Sequence, residues 1–353
     1  MMEAGRTRSR YVLPGPTILY IRGEPESMAE KQSQACATPF RTMIGGQALI
    51  EGIMMLGPDK KSIVVRRPDG GLEVKTEERR LIKDRHPILG WPFIRGVVNF
   101  CVSMYTGVTA LMYSAEFYPE DDEPEEPSRF EKWLDEKLGS EKAMAFFTTL
   151  AVIVGMAFSV GLFFVLPTLL SGGVMWFFPN IPLWVRNLVE GATRVVIFLG
   201  YLILCSKTKS IRRVFSYHGA EHKTIFCYEK GLELTVENVR IQPKHHPRCG
   251  TSFLFVVIVV SILLSSIVFS FWHFTNPWLR TLVHLALLPV VVGLTWEINR
   301  YVGGHDNLLC RAIRRPGMAI QRWTTFEPDD SMIEVGIEAL KQVLPQEKGK
   351  DQW

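Results

Sequence analysis

Residues 251–274 read TSFLFVVIVVSILLSSIVFSFWHF, an apolar run that contains no Asp, Glu, Lys or Arg. A helix needs about 20 predominantly apolar residues to cross the hydrocarbon core of a bilayer. A surface helix of a soluble protein would instead carry a polar stripe along one side. The run therefore predicts a transmembrane helix and decides the fold class.

Three other segments reach the same length, at residues 143–170, 183–205 and 278–296. The first contains no charged side chain, and the last carries only Arg280 near its start. The chain is therefore predicted to be an α-helical polytopic membrane protein with four transmembrane helices arranged as two pairs.

The segment 183–205 differs because Arg186, Glu190 and Arg194 recur every fourth residue along one helical face. Charges at membrane depth are costly and face a protein interior or one another. We interpret the three as a salt-bridge ladder, since the spacing itself supplies the partners. The alternative gives Glu190 or Arg194 a role in binding a substrate or an ion.

A further apolar stretch covers residues 87–117, and its central part, 96–115, carries no charge. If it crossed the bilayer, the later helices would invert their orientation. Pro92, Arg95 and Asn99 interrupt it, and we predict an interfacial or re-entrant helix.

Orientation follows from the distribution of Lys and Arg. The loop 206–250 carries nine of them, whereas the connectors 171–182 and 275–277 carry none. Loops rich in Lys and Arg remain in the cytoplasm. This loop and both termini are therefore predicted to be cytoplasmic, with the bilayer as the first partner of the chain.

The polar segments are short. Residues 62–66 and 72–75 flank Pro68-Asp69-Gly70-Gly71 and predict a β-hairpin within a small strand-rich unit, and the glycines at 45, 46 and 52 predict turns or close backbone approach. Phe130–Leu138 predicts a short helix after an acidic linker. Near the C-terminus, Pro316-Gly317 predicts a break, and a final helix presents Ile333, Ile337, Leu340 and Leu344 on one docking side.

The loop 206–250 contains Tyr-His-Gly-Ala-Glu-His-Lys at positions 217–223. His218 and His222 are four residues apart and share one helical face, with Glu221 beside them. The order His-x-x-Glu-His is the inverted zinc-peptidase pattern, in which two imidazoles bind zinc and the carboxylate is the general base.

A second ligand-rich stretch, His-His-Pro-Arg-Cys-Gly, follows at 245–250, and the turn and short element between the two could fold it back onto the first. His218, His222, His245 and Cys249 would satisfy tetrahedral zinc, and such a closed set is structural because a catalytic zinc keeps one position open. The alternative is two histidines that bond only to backbone or phosphate, since Gly219 weakens a helix.

Two functions of different class follow. The first is a metal-dependent membrane hydrolase that acts on a peptide or lipid-linked substrate, with Glu221 as catalytic base and a divalent metal, zinc by its ligands. The second is a non-enzymatic membrane scaffold whose cytoplasmic loop binds a protein partner, with or without a structural zinc. An open coordination position favours the first, and a closed one the second.

Composition excludes other classes. The six cysteines form no Cys-x-x-Cys pair and are expected to be reduced thiols. The net charge of +4 is modest, and no nucleic-acid partner is expected, because orientation and anionic lipid explain the basic loop. Residues 1–42 lack the apolar core of a signal peptide and are predicted to be a disordered extension, with Met28 as an alternative start.

A set of distinctive segments follows in order along the chain: GGQA at 45–48, EGIMM at 51–55, VRRPDG at 65–70, RVF at 213–215, YHGAEHKTI at 217–225, RCGTSF at 248–253, and Pro316-Gly317 followed by TTFEPD at 324–329. Together these motifs resemble the YqhQ family of bacterial membrane proteins. The resemblance covers residues 43–344 and implies a polytopic protein of the bacterial cytoplasmic membrane, labelled a metal-dependent enzyme with no stated substrate. It directs attention to His218, Glu221, His222, His245 and Cys249, and Glu297 is either a further ligand or half of an ion pair.

The predicted organisation has eight parts. They are the extension 1–42, the β-rich cytoplasmic unit 43–86, the interfacial or re-entrant helix 87–117, the acidic linker and short helix 118–141, the first helix pair 142–205, the cytoplasmic loop 206–250, the second helix pair 251–298 and the cytoplasmic C-terminal segment 299–353.

Overall fold

The structure is a computed structural model and describes residues 40–79, 86–118, 139–272, 276–347 and 349–352. Residues 1–39 of the predicted extension, residues 119–138 with the acidic linker and the helix predicted at Phe130–Leu138, and His273 lie outside the described residues.

The described chain begins with an antiparallel sheet of four strands in sequential order. The predicted hairpin at 62–75 is confirmed, with Arg66 opposite Leu72 and Ile63 opposite Lys75. Gly70 adopts a φ of 87° in its turn, a conformation that glycine takes without steric cost. The strands are β1 (Gly45–Leu49), β2 (Gly52–Leu56), β3 (Lys60–Arg66) and β4 (Leu72–Glu78).

The first hairpin turns at Ile50 and Glu51, between β1 and β2. Gly45, Gly46 and Gly52 lie in the paired strands and not in the turn. Glu51 has a φ of 49°, which is rare for a residue with a side chain. Its carboxylate accepts hydrogen bonds from the guanidinium of Arg213 and from the hydroxyl of Tyr217 at 3.0 Å. These hydrogen bonds hold the strained turn against the helix that contains Arg213 and Tyr217.

Helices make up the rest of the described fold. A π-helical turn at Gly161–Val165 joins the second and third of them into one rod, and a short 3₁₀ helix, Pro87–Gly90, precedes the first. The α-helices are α1 (Ile94–Ala115), α2 (Ser140–Val160), α3 (Leu166–Phe177), α4 (Leu183–Ser206), α5 (Lys209–Glu229), α6 (Val236–Arg240), α7 (Gly250–Phe271), α8 (Pro277–Gly304), α9 (Leu308–Thr324) and α10 (Asp330–Val343).

Within the described residues, five helical segments are long and apolar enough to cross a membrane. They include α1, in the stretch predicted to be interfacial. Large apolar side chains such as Val196 and Leu263 are 69% and 60% exposed on these helices, a distribution that is stable only against lipid. The protein is therefore a membrane protein. The segments are Ile94–Ala115, Phe146–Phe177, Leu183–Ser206, Gly250–Phe271 and Pro277–Gly304.

The bundle has two distinct ends. At the near end, α4 stops at Ser206, α7 starts at Gly250 and α8 stops at Gly304, and the chain continues into α5, α6, α9 and α10. At the far end, short connections join α3 to α4 and α7 to α8. Exposed indoles cluster in the turns at the far end, as they do at membrane–water interfaces: Trp176, Trp184, Trp272 and Trp278.

The sheet packs on the near-end helices in one hydrophobic core. Ile53 and Val64 of the sheet contact Tyr217 and Ala220 of α5 and Leu340 of α10 in this core. The predicted docking of α10 is confirmed, and its surface is formed by β2, β3 and α5. Complete burial of a Leu or Ile side chain contributes about 1.5–3 kcal/mol, so the two ends of the chain stabilise one another.

The break predicted at Pro316-Gly317 is wrong, because α9 continues through both residues. Gly317 lies where α9 crosses the first turn of α7, and a Cβ there would approach the Cβ of Ser252 to 2.6 Å. An interior proline removes one helical hydrogen bond at a cost of about 3 kcal/mol. The close packing of α9 on α7 outweighs that local cost.

A polar cluster lies inside the bundle around Glu190, which is buried on α4. Its carboxylate accepts hydrogen bonds from Arg280 Nε at 2.8 Å and Arg194 at 3.4 Å, and also from His284 Nε2 at 2.7 Å and Thr168 at 3.0 Å. The predicted pairing of Glu190 with Arg194 is confirmed, whereas Arg186 Nε has no hydrogen-bond partner among the described residues. Arg280 and His284, on α8, are partners that the spacing within α4 did not reveal.

Candidate metal centre

Helix α5 places His218 and His222 on one face, with their ring centroids 4.3 Å apart. The helix ends at Glu229, and Gly231 takes a φ of 67° that reverses the chain. Thr235 then caps the short helix α6 by accepting a hydrogen bond from Asn238 N. This compact return is the predicted fold-back, and it brings Cys249 to the histidines.

Both imidazoles are oriented by backbone carbonyls. His218 Nδ1 donates to the carbonyl oxygen of Thr324 at 2.8 Å, and His222 Nδ1 donates to that of Lys244 at 2.6 Å. A carbonyl only accepts, so the proton of each neutral ring is on Nδ1 and the Nε2 atom keeps its lone pair. Metal-binding histidines use their second nitrogen in this way.

Cys249 supplies the third candidate ligand atom, its sulfur. Its sulfur lies 3.1 Å from His218 Nε2 and accepts from the backbone N–H and the hydroxyl of Thr251 at 3.4 and 3.3 Å. Cys249 also caps the N-terminus of α7, where the helix dipole favours negative charge. The environment of the sulfur therefore suits a thiolate ligand.

One ring nitrogen of each histidine and the sulfur of Cys249 lie within 4.8 Å of one another. Tetrahedral zinc holds such atoms about 3.5 Å apart, given its bond lengths to nitrogen and sulfur. His222 Nε2 is buried and has no hydrogen-bond partner among the described residues, and burial lowers the pKa of His222, which keeps the ring neutral. The three side chains fit a divalent metal of borderline softness, because small rotations would complete the contacts.

Glu221 is buried on a neighbouring face of α5 and is not one of the three clustered ligands. Its carboxylate accepts from Gly46 N of β1 at 2.9 Å. Burial raises the pKa of Glu221, against the opposing effects of His218 and the Gly46 N–H. The strand thus holds the carboxylate beside the histidine pair without making it a ligand.

His245 lies outside the three-ligand group. Burial, followed by the charge of Lys244, lowers the pKa of His245, and its Nε2 atom has no hydrogen-bond partner in the described part of the chain. The backbone N–H of the next residue, His246, donates to the side chain of Gln321, which in turn donates to the carbonyl of His246, both at 2.8 Å. The structure therefore brings together three of the four ligands that the sequence predicts.

Glu297 forms an ion pair with Arg95, whose Nε donates to it at 2.7 Å. The ion-pair interpretation of Glu297 is confirmed, and this pair ties α1 to α8. The described cysteines form no disulfide with one another and are Cys101, Cys205, Cys227, Cys249 and Cys310.

The site also uses groups that sequence reasoning missed. The carbonyls of Lys244 and Thr324 orient the rings, and no side-chain pattern marks a backbone carbonyl. Gly219 is a second case, because a Cβ there would collide with the carbonyl oxygen of Phe326. The glycine that weakens α5 in isolation is the residue that admits the segment holding His218.

Comparison with known proteins now places the chain. Residues 91–346 match the model of a protein family of unknown function, DUF1385. The chain belongs to the DUF1385 family. It is also 33% identical over 306 residues to "Uncharacterized protein YqhQ" of Bacillus subtilis (strain 168), covering 85% of this chain and 92% of that protein. The resemblance to the YqhQ family is thereby confirmed. No solved structure shows a significant match.

Proposed function

We propose that this chain is a metal-dependent membrane enzyme, of hydrolase type, whose metal is held by His218, His222 and Cys249. One observation carries the proposal. One ring nitrogen of each histidine and the thiol of Cys249 lie within 4.8 Å of one another, and both rings are oriented by backbone carbonyls. A nitrogen and sulfur donor set of this kind favours zinc over calcium or magnesium.

A set of three protein ligands is the catalytic type, because it leaves a coordination position for a reacting group. The position of His245 outside the group supports this type over the closed four-ligand arrangement. His222 is buried, whereas His218 and Cys249 are partly exposed, so one side of the centre is accessible from outside the protein.

When bound, the metal would supply a Lewis acid. The role of Glu221 in this proposal is to accept a proton as general base. Its carboxylate is anchored by Gly46 N, and its raised pKa increases its proton affinity. Because Glu221, His218 and His222 all lie on α5, which packs on β1, the helix fixes the base relative to the proposed ligands.

The contact between Cys249 and His218 also resembles a thiol–imidazole nucleophile, with Thr324 O orienting the ring. His222 distinguishes the two chemistries. In a metal centre His222 would be a ligand, whereas a Cys249–His218 nucleophile would not require it. The Nε2 atom of His222 has no hydrogen-bond partner among the described residues, which favours the metal centre.

The direct test is metal analysis of protein purified in neutral detergent. The wild type should hold about one divalent metal per chain, and His218→Ala, His222→Ala and Cys249→Ser should each release it. His245→Ala and the exposed His305→Ala are matched controls that should retain it. Stoichiometric metal in a His218→Ala, His222→Ala double variant would refute the site.

Catalysis is tested separately with Glu221→Gln. The amide preserves the shape of the side chain but cannot accept the proton. The variant should keep the metal and the fold yet fail to complement a strain that lacks the gene. Full complementation would support the alternative function, a membrane scaffold that binds a protein partner.

We also infer that four helices cross the membrane and that the near end is cytoplasmic. The sheet, α5 and α10 share one core, so an even number of crossings must separate them. Three candidate spans lie between the sheet and α5, and one of these must therefore remain on the near side.

Helix α1 is the segment that does not cross. Ser114, at one end of α1, accepts a hydrogen bond from Ile50 N at 3.2 Å, and Ala110 packs into a core with Leu49 of β1. At its other end, Arg95 pairs with Glu297 in the near half of α8. Contacts along its length thus hold α1 to near-end elements.

The orientation is tested by a reporter cysteine at position 230, in the loop rich in Lys and Arg. An impermeant maleimide should label it only after the cells are opened, because such loops remain in the cytoplasm. Labelling in intact cells would reverse the proposed orientation.

A further inference from the structure

The metal centre lies at the boundary between the apolar bundle and its polar cap. Cys249 directly precedes α7, one of the candidate spans. Helix α5, which carries both histidines, begins at Lys209, shortly after α4 ends at Ser206. These positions put the ligands at the depth where lipid headgroups surround a membrane protein.

Helix α9 follows the end of α8 and has the composition of an interfacial helix. Leu308 and Leu309 in its first turn are 81% and 66% exposed. Its exposed side then carries Arg311, Arg315 and Arg322. Exposed leucines next to a row of arginines are typical of a helix that lies in the headgroup layer and contacts anionic lipid.

The same helix leads directly to the metal centre. Gly317 packs on Ser252, three residues after Cys249, and the carbonyl of Thr324 orients His218. Arg322 stands two residues before that carbonyl, and its charge contributes with burial and Lys244 to the lowered pKa of His245. The basic side of α9 therefore lies next to the segment that orients His218.

Basic side chains outnumber acidic ones beside the segments that contain Lys244 and Thr324, whose carbonyls orient the histidines. Glu327 pairs with Lys223 and, at 3.7 Å, with Lys244. Arg322 and Arg212 have no carboxylate partner among the described residues, and Arg212 lies over the ring of Phe326 at 4.7 Å. Neither guanidinium is neutralised by a carboxylate of the described residues, so both can bind an anion.

We propose that the substrate of this centre is a phosphate-bearing membrane lipid, bound by Arg322 and Arg212 through its phosphate. This inference rests on the proposed function and adds the substrate class. Arginine binds phosphate through paired, charge-assisted hydrogen bonds. The interfacial helix explains how an amphiphile would reach the site from the bilayer.

The test measures protection of Cys249 from alkylation in metal-depleted full-length protein, in neutral detergent, by mass spectrometry. Three probes are compared: dihexanoyl phosphatidic acid, dihexanoyl phosphatidylcholine and glycerol 3-phosphate. Phosphatidic acid should slow alkylation of Cys249 and leave the exposed Cys101 unaffected. The other two probes should protect much less, because one shields its phosphate and the other has no acyl chains.

An Arg212→Gln, Arg322→Gln double variant should need about tenfold more phosphatidic acid for the same protection, since it loses charge-assisted hydrogen bonds. Lys75→Gln, on β4, is the matched control and should behave as wild type. Equal protection by phosphatidylcholine or by glycerol 3-phosphate would overturn the lipid assignment, as would unchanged protection in the double variant.

Metal content measured on untreated samples separates the two proposals. If the untreated protein contains no metal but phosphatidic acid still protects Cys249, the lipid site is supported and the metal-dependent function is refuted. Stoichiometric metal without protection would refute the lipid assignment alone.

Discussion

Two buried polar clusters in this molecule have opposite chemistry. Around Glu190, inside the bundle, one carboxylate accepts hydrogen bonds from two arginines, a histidine and a threonine. In the metal centre, His222 Nε2 is buried without a hydrogen-bond partner among the described residues. The first cluster compensates its charge internally, whereas the second leaves a buried ring nitrogen that the proposed metal would bind.

The difference shows how to distinguish structural from functional polarity. Burial of a charge is tolerated when partners compensate it, and such a network joins the helices that supply its members. A buried lone pair without a hydrogen-bond partner, such as that of His222 Nε2, is instead costly until a ligand binds it. Both clusters contain histidine, and the partners of each histidine indicate its role.

The largest effect should come from breaking the cluster around Glu190. Glu190→Gln removes the carboxylate between Arg194 and Arg280 and leaves both guanidiniums buried without a counter-charge. Loss of one partner of a buried ion pair costs about 3–5 kcal/mol. We expect a marked fall in the thermal unfolding temperature in detergent with no dependence on added zinc.

Val196→Ala is the control for Glu190→Gln, because Val196 lies on the same helix and is 69% exposed. An unfolding temperature for Glu190→Gln equal to that of this control would show that the cluster does not hold the bundle together.

An intermediate effect should come from the backbone that supports the metal centre. Gly219→Ala places a methyl group against the carbonyl of Phe326, and overpacking of this kind costs about 1–3 kcal/mol. Because Phe326 follows the segment that orients His218, metal affinity should fall together with stability. Unfolding and metal titration of one sample measure both.

Gly200→Ala is the matched substitution, since open space surrounds that helical glycine and alanine favours a helix by up to about 1 kcal/mol. Equal behaviour of the two variants would mean that the close approach at Gly219 is not required.

The smallest effect should be a dependence of stability on pH in metal-depleted protein. Burial lowers the pKa of His246 below its ordinary value of 6.5. The unfolded chain therefore binds a proton that the folded chain resists, so the folding stability from this histidine is present above about pH 6.5 and falls as the pH decreases below it.

Urea unfolding of the chelated protein between pH 7.5 and about 5.5 measures this slope. His246→Asn should flatten it, whereas His305→Asn, at an exposed position, should not. An unchanged slope in His246→Asn would assign the pH dependence to His222 and His245, whose pKa values burial also lowers.

The sequence predicts the elements whose signal is local. Apolar length identifies the candidate spans, alternation across Pro68–Gly71 identifies the β3–β4 hairpin, and the four-residue spacing places His218 and His222 together. The return of Cys249 was predictable from a turn and a short element. These features depend on neighbours in the chain, which is why pattern suffices.

The remaining features depend on tertiary partners. Nothing in the sequence near Pro316 reveals that α7 will support an unbroken α9, and nothing near His284 reveals Glu190, which lies on another helix. The position of His245 outside the three-ligand group likewise depends on how the loop packs. Distances of this kind arise only when the helices pack.

The last described residues have a consequence for synthesis. Asp351 is buried, its carbonyl accepts from Met43 N at 2.6 Å, and its carboxylate accepts from Thr42 at 2.6 Å and from Tyr228 at 3.1 Å. The first strands emerge from the ribosome early, whereas Asp351 is translated after helices α1 to α10. The nascent sheet must therefore wait, partly uncovered, while the membrane-spanning helices between them enter the bilayer, and a chain that terminates before Asp351 would present that open edge to chaperones and proteases.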